Sequence, residues 1–212
     1  MYKHPLLDRD KMSPQQALDI LIEGNYRFAN NLIGNKDMQS LVESTKNKQH
    51  PFAAFLSCSD SRAPVELLFD QALGDIFSVR LAGNIASDKC IGSLEFSSKY
   101  LGSKLIVVMG HSSCGAVKAA CDDFKDGHIG EIVNMIKPAI RHEKTVLQER
   151  NSNNDAFVQK ICALNVRYQI DQIIRTSDII QDMITAKQIG VVGGVYDLNT
   201  SKVEFLAETF IA

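Results

Sequence analysis

Two cysteines and a histidine have the types and spacing to hold one metal ion: Cys58, His111 and Cys114. Two sulfurs and an imidazole nitrogen are a donor set that suits zinc. In HSSCGAV, Cys114 follows His111 by three residues, where a tight turn entering a helix aims imidazole and thiolate at one point. A cysteine at a strand end is, by itself, more often a small buried hydrophobe; it is the company of the other two that makes Cys58 a ligand. Three protein ligands leave a fourth tetrahedral position, which separates a catalytic zinc from a closed structural one. Zinc lowers the pKa of its water from about 15.7 into the neutral or mildly alkaline range, and the hydroxide so formed attacks an electrophilic carbon. Two thiolates offset the charge of the ion more than three histidines would, so turnover is expected to rise with pH above neutrality.

CSDSR places Asp60 two residues past Cys58 and Arg62 two further on. That spacing allows a bidentate guanidinium and carboxylate pair, which keeps the acid ionised and oriented beside the metal. Two other roles for Asp60 stand beside this one: capping a helix that begins near Pro64, or completing a closed four-ligand zinc site without catalysis.

These residues need elements to converge. Apolar runs at 52–57, 76–82 and 104–110 alternate with stretches of helical spacing such as SLEFSSKYL. Strands alternating with helices predict a parallel sheet, and Cys58 and His111 each directly follow a strand. Both then lie at carboxyl ends, where open α/β sheets place their sites. Residues 13–33 open with a Ser N-cap and Pro at the first helical position, then repeat apolar residues as an amphipathic helix does. From Gly115 to about Lys187 the chain reads as mainly helical with a polar break at NSNND, 151–155. GVVGGVYDL and KVEFLA close it as two strands, a hairpin through Asn199 to Ser201 on the sheet edge. The Gly193–Gly194 pair lacks a following helix with a nucleotide-binding fingerprint, so close strand packing is its expected role.

Composition excludes several classes. Lys and Arg number 23 against 25 Asp and Glu, spread along the chain, so nucleic acid is not an expected partner. No segment approaches the roughly 20 apolar residues of a membrane span, and the N-terminus carries no secretory pattern; a cytoplasmic protein is expected. Five cysteines without a CxxC pair do not make a disulfide framework. Cys90, Cys121 and Cys162, with His4, His50, His128 and His142, have no partners at ligand spacing and are read as packing or surface residues. A length of 212 residues without an internal linker fits one domain over 1–212.

Three blocks, CSDSR at 58–62, FDQALGDIFSVRLAGN at 69–84 and GHSSCGAV at 110–117, resemble the signature of β-class carbonic anhydrases. The resemblance runs from about Gln49 to Val117. It implies interconversion of carbon dioxide and bicarbonate on a mainly parallel sheet flanked by helices. It also implies an N-terminal helical arm (1–48) packing on a partner subunit, a zinc-binding core (49–212), and a homodimer or homotetramer. Cys58, His111 and Cys114 become the zinc ligands, and Asp60 with Arg62 a catalytic dyad in which Asp60 accepts the proton of zinc-bound hydroxide. Gln49 and Phe77 become substrate contacts together with the Gly115 N–H. In the subtype that closes its site with Asp, a Trp frames an inhibitory bicarbonate; Phe55 stands at that position, so the open subtype is expected. Phe96 departs from the tyrosine that many relatives carry. Hydrolysis of carbon disulfide or carbonyl sulfide on the same scaffold stays an alternative.

Overall fold

A computed structural model describes residues 8–212; His4 and the start of the arm lie outside the described residues. The sheet order is β2-β1-β3-β4-β5. β1 (Ala53–Ser57), β2 (Ile76–Arg80), β3 (Leu105–His111) and β4 (Gly190–Tyr196) run parallel, and β5 (Val203–Ile211) closes one edge antiparallel to β4. Every residue of β1 and β3 is buried, which is why both strands read as unbroken apolar runs rather than alternating ones. β2 is half exposed because it forms the other edge.

Helices cover both faces. α3 (Val65–Leu68) leads into β2, and α4 (Asp88–Leu101) returns to β3. α5 (Gly115–Cys121), α6 (Ile129–His142), α7 (Asp155–Thr176) and α8 (Asp178–Thr185) fill the long connection from β3 to β4. The chain leaves β1 toward β2 on one side and continues from β3 toward β4 on the other. The carboxyl ends of β1 and β3 therefore flank the point where strand order reverses, the crevice that a doubly wound sheet offers a ligand. The β4–β5 hairpin is present as expected. Gly193 serves helix packing as well as strand packing: a Cβ there would stand 2.7 Å from Val166 of α7.

α1 spans Pro14–Ala29, with Ser13 and Gln16 forming a reciprocal capping box. It stops four residues before Ile33, where Asn30 caps it and Asn31 turns left-handed. Its inner face, Ala17, Leu18 and Leu21, is buried with Phe52, Phe55 and Phe69 of its own chain. The buried side of this arm is thus occupied within the subunit, leaving Ile22 and Tyr26 exposed on the other side. Helix α2 (Met38–Thr45) buries no residue, so it left no apolar periodicity to read. Among the described residues, no helix is long and apolar enough to cross a membrane.

Candidate metal centre

Cys58 is the first residue after β1, His111 the last of β3, and Cys114 the N-cap of α5. Ser113 makes the link by adopting φ 53°, a left-handed residue that folds HSSC back on itself. The three ligand atoms lie within 4.8 Å of one another and all three residues are buried. The two Sγ atoms are 3.9 Å apart, close to the separation of about 3.8 Å for two sulfurs each about 2.3 Å from a tetrahedral zinc.

His111 decides the fit. Its Nδ1–H donates to the Ser112 carbonyl at 2.9 Å, which leaves Nε2 with a lone pair. That nitrogen is buried without a hydrogen-bond partner, a costly state that a metal ion between Nε2 and the sulfurs would relieve. The thiols are divided in the same sense. A hydrogen bond from Cys114 lowers the pKa of Cys58 most, outweighing burial, with His111 and the Gly83 N–H adding to it. The same hydrogen bond, followed by burial, pushes Cys114 up. For His111, burial disfavours the charged ring, yet the nearby Cys58 sulfur raises its pKa overall. A cation binding both sulfurs would displace the proton that Cys114 retains.

Asp60 is held as CSDSR suggested. Its Oδ1 accepts from the Arg62 Nε at 3.0 Å and the Arg62 backbone N–H at 2.9 Å, and its Oδ2 from Nη2 at 2.8 Å. The hydrogen bond from the Arg62 side chain, above all, keeps the carboxyl ionised well below the usual range. Asp60 does not cap α3, whose N-cap is Pro64 without a side-chain bond. Its Oδ2 stands 3.8 Å from His111 Nε2, facing the ligand cluster. Gly115 opens α5 with no atom within 4 Å of where a Cβ would be. Beside it an apolar cavity of about 360 Å³ is lined by Ala82, Ala116, Phe124, Ile129 and Val133.

Gln49 and Phe77 lie elsewhere in the chain. Phe77 pairs with Ala54, four residues before Cys58, which is about 13 Å down the strand at about 3.3 Å per residue. Gln49 precedes the amino end of β1, next to His50, whose carbonyl accepts from Arg9. Phe77 instead contacts Phe96, and Phe96 contacts Tyr100, with centroids 6.5 and 5.7 Å apart. Phe55 is buried against Phe69.

Residues 53–203 match the carbonic anhydrase family model. Carbonic anhydrase 2 of Mycobacterium tuberculosis is 32% identical over 203 residues, covering 90% of this chain and 91% of that protein. The chain belongs to the β-class carbonic anhydrases. The Mycolicibacterium smegmatis carbonic anhydrase is 33% identical, with 91% of this chain and 93% of that one covered. A Coccomyxa β-carbonic anhydrase solved with acetazolamide superimposes with a TM-score of 0.71 at 28% identity, covering 89% and 86%. Tetrameric β-carbonic anhydrases of Sordaria macrospora share the fold, with a TM-score of 0.71 at 24% identity over 92% and 98% of the chains. This carbonic anhydrase is therefore a carbon dioxide-hydrating enzyme with a cysteine and histidine cluster suited to a metal.

Two residues of its site escaped the sequence reading. Arg80 donates from Nε to the Cys58 carbonyl at 3.1 Å and from Nη2 to the Asp60 carbonyl at 2.5 Å. Gly83 donates its N–H to Cys58 Sγ at 3.3 Å. The Arg80 signal was a charge within an apolar strand; a backbone donor such as Gly83 leaves none. Among the described residues, Cys58, His111 and Cys114 form the one metal-capable cluster. His50, His128 and His142 instead face Asp10, Glu131 and the Tyr168 ring.

Proposed function

We propose that this enzyme hydrates carbon dioxide at a zinc ion held by Cys58, His111 and Cys114, with Asp60 accepting the hydrogen bond of the nucleophile and Arg62 as its anchor. The observation that carries the proposal is the orphaned His111 Nε2 facing two sulfurs 3.9 Å apart. Bound zinc supplies Lewis acidity, making water a nucleophile for carbon dioxide near neutral pH. Asp60 stays a carboxylate because Arg62 donates to both its oxygens. Its Oδ2 takes only one of those hydrogen bonds, so it retains capacity to accept one from the nucleophile and to orient it. Gly115, lacking a side chain, leaves room for the substrate beside Cys114 and offers it an N–H. The adjoining apolar cavity suits an uncharged molecule better than bicarbonate.

Gln49 and Phe77 contact substrate only if they serve a second subunit. The support is the position of Phe77 on the edge strand β2, where Phe77, Phe96 and Tyr100 form a partly exposed aromatic row. An uncovered strand edge with apolar neighbours favours pairing with another copy. We therefore read the enzyme as a homodimer or a dimer of dimers in which one subunit completes the pocket of the other.

Stopped-flow hydration at mildly alkaline pH tests this on zinc-loaded protein. Cys58→Ser is expected to abolish the rate, and Asp60→Asn to lower it about a hundredfold or more. Background rates with zinc stoichiometrically bound would overturn the assignment, in favour of sulfur analogues of carbon dioxide. Because Asp60 Oδ2 already lies 3.8 Å from His111 Nε2, X-ray absorption at alkaline pH is the second test. An oxygen from water, with the activity present, supports the open site; a carboxylate in the fourth position supports the closed one.

A further inference from the structure

Cys58 is supported on the sulfur side by a turn that would not hold its shape unaided. Residues Ala82–Asn84 form a single 3-10 turn in which Gly83 adopts φ 71° and Asn84 φ 45°, consecutive left-handed residues of which the second is not glycine. Gly83 cannot be replaced without strain: a Cβ would stand 2.7 Å from Ile136 Cδ1 and 3.2 Å from Ala116 Cβ. The Gly83 N–H donates to Cys58 Sγ at 3.3 Å, and its carbonyl accepts from Asn165 Nδ2 at 2.9 Å. Asn165 Oδ1 accepts from Gln169 Nε2 at 2.9 Å, and Gln169 also donates to the Met135 carbonyl at 3.2 Å. Gln169 Oε1 accepts from the Ala86 N–H at 2.9 Å. The two amides thus grip the turn at Gly83 and again just beyond it, at Ala86.

Both side chains are fully buried, one helical turn apart on α7 among Ile161, Val166 and Ile170. Burying two primary amides in an apolar face is unfavourable unless their hydrogen bonds are made, and here they are made toward the turn, toward each other and, for Gln169, toward the Met135 carbonyl of α6. We infer that Asn165 and Gln169 are positioning residues for the metal centre, acting through the Gly83 turn to aim its N–H at the Cys58 thiolate. The inference rests on the metal assignment above. An N–H aimed at a metal thiolate orients the sulfur lone pairs and lowers their energy, and partners outside the ligand shell typically change metal affinity by about 10–100-fold.

The test uses full-length protein and reads metal binding rather than turnover. Zinc affinity is measured by chelator competition, and the thiolate-to-metal charge-transfer band is recorded on the cobalt(II)-substituted protein. Asn165→Ala and Gln169→Met are compared with Ile180→Ala, a core truncation in α8 that lowers stability without touching the turn. Zinc binding weakened by about tenfold or more in both amide variants, with the cobalt band at longer wavelength, supports the inference if Ile180→Ala leaves both readings unchanged. Wild-type affinity and an unmoved band in the amide variants overturn it, and so does an equal loss in Ile180→Ala. If Asn165→Ala fails to fold, Gln169→Met decides by the same readings. Failure of the unaltered protein to bind zinc or cobalt would overturn the metal assignment itself, a result distinct from intact binding in every variant.

Discussion

At the scale of single residues, the site is a set of groups each held in one protonation or hydrogen-bonding state by a neighbour. Arg62 keeps Asp60 ionised, Ser112 fixes the His111 tautomer, and Arg80 pins the carbonyls of Cys58 and Asp60. Arg80→Met should leave the Cys58–Arg62 loop loosely placed and lower kcat about tenfold or more, since small misplacements of reacting groups are costly; stopped-flow kinetics on zinc-loaded protein would show it. A rate equal to that of the unaltered enzyme would make Arg80 a bystander. In the proposed site two thiolates would temper the Lewis acidity of zinc, so the hydration rate should climb between neutral and mildly alkaline pH. A flat or falling profile would argue against a site with two sulfur ligands.

At the scale of elements, α1 is the part most dependent on specific contacts. Gly24 lies against Phe69, and a Cβ there would be 1.9 Å from the Phe69 carbonyl oxygen. Gly24→Ala should displace the helix and cost about 3 kcal/mol, the upper range for overpacking, seen as a lower urea midpoint. Just beyond, the buried Asp70 carboxylate pairs with Arg27 of α1, at 2.6 Å, and with Lys36. Burial alone would raise the pKa of Asp70, but these two cations bring it below the ordinary value. A carboxyl whose folded pKa is depressed stabilises above its unfolded value, near pH 4, and that contribution fades as pH falls through the folded value. Asp70→Asn should therefore lose about 3 kcal/mol at neutral pH, and the difference from the unaltered chain should shrink on acidification. Denaturant titrations at neutral and acid pH would reveal a pH-independent gap if the ion pairs were not the cause.

At the scale of the molecule, the question is where Gln49 and Phe77 act. One subunit places them at the wrong end and edge of the sheet for its own Cys58, so a dimer sharing its sites makes a definite prediction. A Gln49→Ala/Phe77→Ala double variant and Cys58→Ser should each be poorly active alone. Co-expressed, they form some mixed dimers in which one of the two sites draws only unaltered residues. Activity should then recover to about a quarter of the unaltered level for random assortment in a two-fold dimer. Activity no greater than the average of the two parents would mean that no site is shared.

Much of this was legible in the chain because short-range physics wrote it there. The apolar runs at 52–57 and 104–110 marked strands, Ser13 and Pro14 marked a helix start, and CSDSR and HSSC carried the ligand spacing and the Asp60–Arg62 pair. Those features depend on neighbours within a few residues, or on burial, which composition reveals. What only tertiary structure decided depends on contacts between segments remote in sequence. The inner face of α1 settles on its own sheet because Phe52 and Phe69 meet it there. Gly83 reaches Cys58 through a backbone N–H that has no side-chain signature, and Asn165 and Gln169 approach that turn from more than 80 residues away. Gln49 and Phe77 are separated from the metal cluster by the register of parallel strands, and register follows from how the whole sheet packs rather than from any local motif.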